Sequence, residues 1–233
     1  MTILAIDTST RVSSVALVEA GRVIAELNQD TRLTHSERLM PQIKQLLDMA
    51  EKKSRELSAI AVSIGPGSFT GLRIGMATAK TMAYALGIPI IGVPTLDALA
   101  WNCPLDGFCI VPMLDAQKGN VYTAQYRFED GKLVPEEGAV VRAYEEMVSL
   151  LKAGGKQCIV VGERQAIRDA SLLTDNVRLA PPHLFAPRAA SVALCAEVRL
   201  ANGQIDDVMQ LEPLYIRRAE AEVLWEKRHG KQA

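Results

Sequence analysis

No stretch of this chain approaches the roughly 18 uninterrupted apolar residues of a membrane span. The first apolar run, Ile3 to Ile6, is too short for a signal peptide and has no basic leader. Cysteine is sparse: Cys103, Cys109, Cys158 and Cys195 form no C-x-x-C pair and suggest no secreted disulfide framework. They read as reduced thiols, and the protein as cytoplasmic. Histidine is sparser still, with His35, His183 and His229 too far apart for an H-E-x-x-H or H-x-x-x-H metal motif. There is no G-x-S-x-G nucleophile elbow and no glycine-rich loop ending in Lys-Ser or Lys-Thr. An excess of either charge is also missing. Lys plus Arg number 26 against 27 Asp plus Glu, a formal net charge of −1, which argues against a chain that grips nucleic acid unaided.

What remains is an ordinary globular composition, 48% hydrophobic and 23% charged over 233 residues, enough for one large or two small domains. The chain opens with strands at Ile3–Asp7, Val12–Val18 and Val23–Leu27, the first buried on both faces. Helical spacing follows over Ser36 to about Glu51, starting later than Ser36 if Pro41 is to sit in the first turn. A strand at Ala59–Ile64, the loop 65–69, a helix from Thr70 to Leu86, a strand at Pro89–Val93 and a short helix at Thr95–Trp101 complete this half. The second half repeats the order. Strands fit Cys109–Asp115, Val121–Phe128 and Leu133–Val141, then a helix Tyr144–Lys152, a strand Ile159–Val161 and a helix near Arg164–Leu173. Helices at Ala189–Ala201 and from Leu214 to about Arg228 end the chain, and the boundary between halves falls at 102–107. Two halves that agree suggest an internal duplication.

Asp7 and Asp115 both close a first strand, and would face one another across a cleft if the halves pack pseudo-symmetrically. Asp7, Thr8 and Ser9 could surround a phosphate, although an aspartate bonding its own turn is the plainer explanation. The loop Gly65-Pro66-Gly67-Ser68-Phe69-Thr70-Gly71 leads into a helix N-terminus but brings no lysine, so a capped turn is again simpler. Gly71, Gly75, Ala79 and Ala83 then form a stripe of small side chains, with Leu72, Met76 and Met82 beside it. Either the chain's own sheet or a helix from another chain could fill that stripe. Towards the C-terminus, Arg217, Arg218, Lys227, Arg228 and Lys231 alternate with Glu220, Glu222 and Glu226, which fits a solvated helix better than a tRNA-contacting patch.

Ile-Leu-Ala-Ile-Asp-Thr-Ser-Thr at 3–10, His-Ser-Glu at 35–37 and Gly-Pro-Gly-Ser-Phe-Thr-Gly-Leu-Arg-Ile-Gly at 65–75 resemble the TsaB (YeaZ) family. So do Leu-Asp-Ala at 114–116 with Gly119, Val121 and Tyr122, and Glu-Pro-Leu-Tyr-Ile-Arg at 212–217. The resemblance implies an α/β, actin-like fold of the sugar kinase/heat-shock ATPase superfamily. It would have two tandem ribonuclease-H-like βββαβα domains, 1–103 with the dimerisation helices and 104–233 degenerate with a C-terminal helix. It further implies a non-catalytic scaffold and activator that binds the paralogue TsaD, with the ATPase TsaE. Their product is threonylcarbamoyladenosine beside the tRNA anticodon. No catalytic residue, cofactor or metal is implied, and tRNA would be met only through the complex. Where the paralogue has a His-x-x-x-His metal pair, this chain has Thr95 and Leu99. The implied partner surface, shared with TsaD or with a second copy as a homodimer, comprises Leu39, Ile43, Leu46 and Leu47 with Gly71, Leu72, Gly75, Met76, Ala79 and Ala83. Gly75→Leu is then expected to abolish pairing without harming the fold. The alternative is an ATP-dependent small-molecule kinase of the same superfamily using Asp7 and Asp115, with only Val161-Gly162-Glu163 in place of an adenosine loop. A metallopeptidase would need the missing histidines.

Overall fold

The structure, a computed structural model, describes residues 1–30, 34–167 and 172–216. The expected helix from Leu214 to Arg228 and its basic residues lie outside these residues from position 217 onward.

Near-continuous apolar runs and one tight hairpin turn build the first meander. Strands β1 (Thr2–Asp7), β2 (Ser13–Glu19) and β3 (Arg22–Gln29) form an antiparallel meander, with Ala5 opposite Ala16. The β2–β3 turn puts Ala20 and Gly21 at φ of 49° and 75°, the left-handed pair whose twist matches a two-residue hairpin. β4 (Ala59–Gly65) lies parallel to β1, and β5 (Ile90–Pro94) parallel to β4, giving the order β3-β2-β1-β4-β5.

The second sheet repeats this plan. β6 (Cys109–Asp115), β7 (Asn120–Glu129) and β8 (Lys132–Ala143) are the meander; β9 (Cys158–Gly162) and β10 (Val177–Leu179) are the parallel additions. Its order, read from β8, is β8-β7-β6-β9-β10. Even the hairpin turn recurs, with Asp130 and Gly131 at φ of 50° and 75°. The duplication expected from sequence is present, strand for strand. β10 was not expected, and the helix expected over Arg164–Leu173 is a turn at 164–167, with 168–171 outside the described residues.

Two helices cover one face of the first sheet: α1 (His35–Met49) and α2 (Phe69–Leu86). Leu39, Ile43 and Leu46 of α1 and Met76, Ala79 and Ala83 of α2 pack on Leu4, Ile6, Val15, Leu17, Ile60 and Val62. Each fully buried leucine or isoleucine contributes about 1.5–3 kcal/mol relative to exposure. Helix α1 starts at His35, earlier than Pro41 suggested, because Thr34 fixes its first turn. The Thr34 N–H and hydroxyl both donate to Glu37 Oε2, at 3.0 and 2.7 Å. Pro41 lies inside the helix on its exposed side.

The opposite face of the sheet is closed by α5 (Ala189–Ala201). Its Ala189, Val192, Ala193 and Ala196 meet Ile3, Ala5, Ala16 and Ala61, small residues on both sides that let helix and sheet approach closely. Residues 204–216 follow α5 along the same half: Asp206 bridges Ile90, and the Leu214 N–H donates to Ile64 O at 2.7 Å. The expected division at 103/104 groups 189–216 with the second half, whereas these contacts join them to the first sheet. Helix α4 (Tyr144–Ala153) covers one face of the second sheet. Between the sheets lies α3 (Thr95–Ala100), with Ala98 in one core and Leu96, Leu99 and Ala100 in the other. Its Asp97 accepts a 2.6 Å hydrogen bond from the Tyr126 hydroxyl of β7. Among the described residues no helix is long and apolar enough to cross a membrane.

Candidate functional site

Strands β1, β6 and β9 end at a cleft of about 670 Å³ between the two halves, lined by Ser9, His35, Gly67, Asp115, Glu163 and Tyr215 among others. Parallel strands present their C-terminal ends together, which makes this the natural ligand position of such a fold.

Of the residues expected there, Asp7 is buried beneath the cleft floor. Its Oδ1 accepts from the Ser9 N–H and hydroxyl, at 3.1 and 2.9 Å, and its Oδ2 from the Ser63 hydroxyl. Burial raises its carboxyl above the ordinary range, against the pull of the Ser63 and Ser9 hydrogen bonds. Thr8 donates to Gly71 O at 2.7 Å, and the Ser68 N–H donates to Ser9 O at 2.6 Å. Asp7, Thr8 and Ser9 thus spend their polar atoms on the chain itself, which corrects the idea of a phosphate cradle. The glycines explain the closure. A Cβ on Gly67 would stand 2.3 Å from Ser9 O, and one on Gly71 only 2.0 Å from Thr8 O. The glycine-rich loop and the 8–9 turn are pressed together, and Ser68 Oγ caps α2 by accepting from the Gly71 N–H at 3.2 Å.

Asp115 does line the cleft, accepting from the Gln117 N–H at 3.0 Å. Across from it stands Glu163, which sequence reasoning placed only in a thin adenosine-loop substitute. Its Oε2 accepts from the Asp115 N–H at 3.3 Å. Burial raises its carboxyl, and the nearby charges of Asp115 and Asp7 add to the effect. Its signal was positional: like Asp7 and Asp115, it follows the end of a parallel strand. Among the described residues no three His, Cys, Asp or Glu side chains gather closely enough to hold a metal. Thr95 and Leu99, both on α3, are fully buried.

The small-residue stripe also turns inward. Gly71, Gly75, Ala79 and Ala83 face β1 and β4, and a Cβ on Gly75 would meet Thr8 Oγ1 at 2.3 Å. Leu39, Leu46, Leu72 and Met76 are likewise buried in the chain's own core. These side chains have no surface left for a partner, so the expected partner surface is corrected on those eight positions. Gly75→Leu would strike the core rather than pairing. Ile43 and Leu47 alone of the ten reach an outward groove of about 410 Å³ between α1 and α2, with Met40, Lys44, Met82 and Leu86.

At the cleft rim, the 65–75 motif meets residues 212–216. Phe69 and Tyr215 stack at 5.3 Å between centroids, Arg73 lies 3.9 Å over the Phe69 ring, and Arg73 Nε donates to Tyr215 Oη at 3.1 Å.

The paired sheets, each a meander extended by parallel strands around a shared cleft, define an actin-like α/β protein with two ribonuclease-H-like halves. A ROK hexokinase from Thermus thermophilus shares this fold at 11% identity and TM-score 0.52, over 87% of this chain and all of that one. Closer likeness is more specific. The model of the TsaD family, described as tRNA N6-adenosine threonylcarbamoyltransferase, matches residues 26–225. TsaB of Bacillus subtilis (strain 168), a tRNA threonylcarbamoyladenosine biosynthesis protein, is 37% identical over 97% of this chain and 98% of its own length. The structure of YeaZ from Pseudomonas aeruginosa is 27% identical with TM-score 0.80, covering 92% of this chain and 99% of that one. The chain belongs to the TsaB (YeaZ) family.

Proposed function

We propose that this protein is a non-catalytic subunit in tRNA threonylcarbamoyladenosine biosynthesis. It binds a TsaD paralogue, with TsaE joining the pair, and meets tRNA only through that assembly in the cytoplasm. One observation carries this reading: the polar side chains of Asp7, Thr8 and Ser9, at the first strand's end of the cleft, are spent on hydrogen bonds within the chain itself. The outward groove of α1 and α2 supplies the docking surface instead. Ile43 forms its floor, and Met40 (54% exposed), Leu47, Met82 and Leu86 offer flexible apolar side chains suited to helix packing. A second copy would occupy the same groove when TsaD is absent.

Light scattering on the chain, on TsaD and on their mixture tests this. The expected result is a one-to-one pair that Met40→Glu disrupts while the far-UV circular dichroism of the isolated chain stays unchanged. A mixture whose components keep their separate masses overturns it. The kinase alternative draws on the open cleft with Asp115 and Glu163. It requires nucleotide turnover by the chain alone, lost in Asp115→Asn. Asp7 cannot serve as that discriminator, because its carboxylate organises buried structure.

A further inference from the structure

We propose that Cys109 and Cys158 form a redox-active thiol pair that closes reversibly to a disulfide within the folded chain. β6 and β9 are parallel neighbours, and their register sets Cys109 directly beside Cys158. Adjacent strands run about 4.7–4.9 Å apart, inside the roughly 4.4–6.8 Å Cα separation that disulfides span. Both side chains lie on the same face, in the core beneath α4.

The two sulfurs already interact. The Cys109 thiol donates to Gln125 Oε1 at 3.6 Å, and its closeness to Cys158 lowers the Cys158 thiol below its ordinary value. The Lys156 ammonium lowers Cys158 further. Cys158 is therefore the thiolate-forming, attacking member and Cys109 the resolving one. The other cysteines contrast with this pair: burial alone pushes Cys103 up to about 11, and it also drives Cys195 well above its ordinary value. No third metal-ligating side chain completes a site among the described residues, which favours oxidation over metal binding. Cys109 and Cys158 are each only 4% exposed, yet both begin their strands beside exposed Gly107, Lys156 and Gln157. That position admits a small oxidant at the sheet end.

With hydrogen peroxide as oxidant, the Cys158 thiolate attacks one oxygen. The O–O bond breaks, hydroxide leaves and takes up the proton released by the thiol, and Cys158 becomes a sulfenic acid. The Cys109 sulfur then attacks the Cys158 sulfur. Its proton and the sulfenic hydroxyl leave as water, and the S–S bond forms. In sum, two thiols and one peroxide give one disulfide and two waters. A dithiol reverses the step by exchange.

The test is peptide mass mapping of the full chain after brief peroxide treatment and alkylation. The expected product has lost two hydrogens and yields a peptide pair joining 109 to 158, with Cys103 and Cys195 alkylated and the link undone by dithiothreitol. Cys109→Ser should leave Cys158 as a sulfenic acid that dimedone traps, whereas Cys158→Ser should give neither link nor adduct. Mapping of the unaltered chain does not depend on either variant folding. The proposal is overturned if peroxide that oxidises a free-thiol peptide leaves all four cysteines alkylated. A link that forms only in denatured chain, or that runs through Cys103 or Cys195, overturns it equally.

Discussion

Replacing Gly71 by alanine should destabilise this protein, although the same change in most helices does the opposite. In an unobstructed helix, Gly→Ala gains up to about 1 kcal/mol. Here the new methyl would stand 2.0 Å from Thr8 O, a backbone atom that cannot rotate away, and 3.3 Å from the Ser68 side chain. Relief requires α2 to lift off the 8–9 turn, straining the 2.7 Å bond from Thr8 Oγ1 to Gly71 O. Overpacking costs about 1–3 kcal/mol, and a 2.0 Å approach to a backbone atom belongs at the upper end, about 2–3, so the net loss is about 1–2 kcal/mol after a helical gain of up to about 1. At this chain length that lowers the melting temperature by roughly 2–8 °C. Gly75→Ala provides the internal control. Its methyl would meet Thr8 Oγ1 at 2.3 Å, a side-chain atom, so Thr8→Ala should rescue Gly75→Ala and leave Gly71→Ala unrescued. Thermal and urea melts of the two single variants and the two doubles decide the matter. A Gly71→Ala protein that melts at or above the parent temperature, or is rescued by Thr8→Ala, refutes the close-approach reasoning.

Tyr126→Phe removes the hydroxyl that donates to Asp97 and leaves a largely buried carboxylate short of a partner, a loss of about 1–3 kcal/mol that urea denaturation should register. An unchanged midpoint would show that the bond does not tie α3 to β7. Glu163→Gln should become progressively more stabilising, relative to the parent, as pH rises. The parent carboxyl is raised by burial, so its contribution is fully present below the ordinary carboxyl range and is lost as pH climbs through the raised value. Glutamine keeps the acceptor for the Asp115 N–H without the charge. Urea melts at about pH 4 and about pH 8 measure the trend, and a stability difference that shrinks with pH contradicts it.

The succession of strands and helices was legible in both halves, β10 and the turn at 164–167 apart, because each half carries the same run of apolar segments and turns, ending β1 and β6 on Asp7 and Asp115. The direction of the small-residue stripe was not. A small side chain at every fourth position suits a sheet or a neighbouring helix equally, and only the position of Thr8 decides between them. Met40 looks unremarkable in sequence, and Met82 read only as a neighbour of the stripe, because an exposed groove depends on how α1 and α2 are spaced. Cys109 and Cys158 are far apart along the chain, and no local spacing reveals that a crossover makes their strands parallel neighbours. The return of α5 to the first sheet was hidden for the same reason: alanine-rich helices fit many surfaces, and Ile3, Ala5 and Ala16 select this one.

That return makes the second sheet an insertion. The chain leaves the first layer after α3, builds β6 to β10, and re-enters to lay α5 across β1 and β2. During synthesis the first sheet's strands emerge early, yet the face holding Ile3, Ala5 and Ala16 stays bare until Ala201 has been made. The layer begun first is therefore sealed last, and a nascent chain stopped before residue 189 would expose an apolar surface that the finished protein never shows.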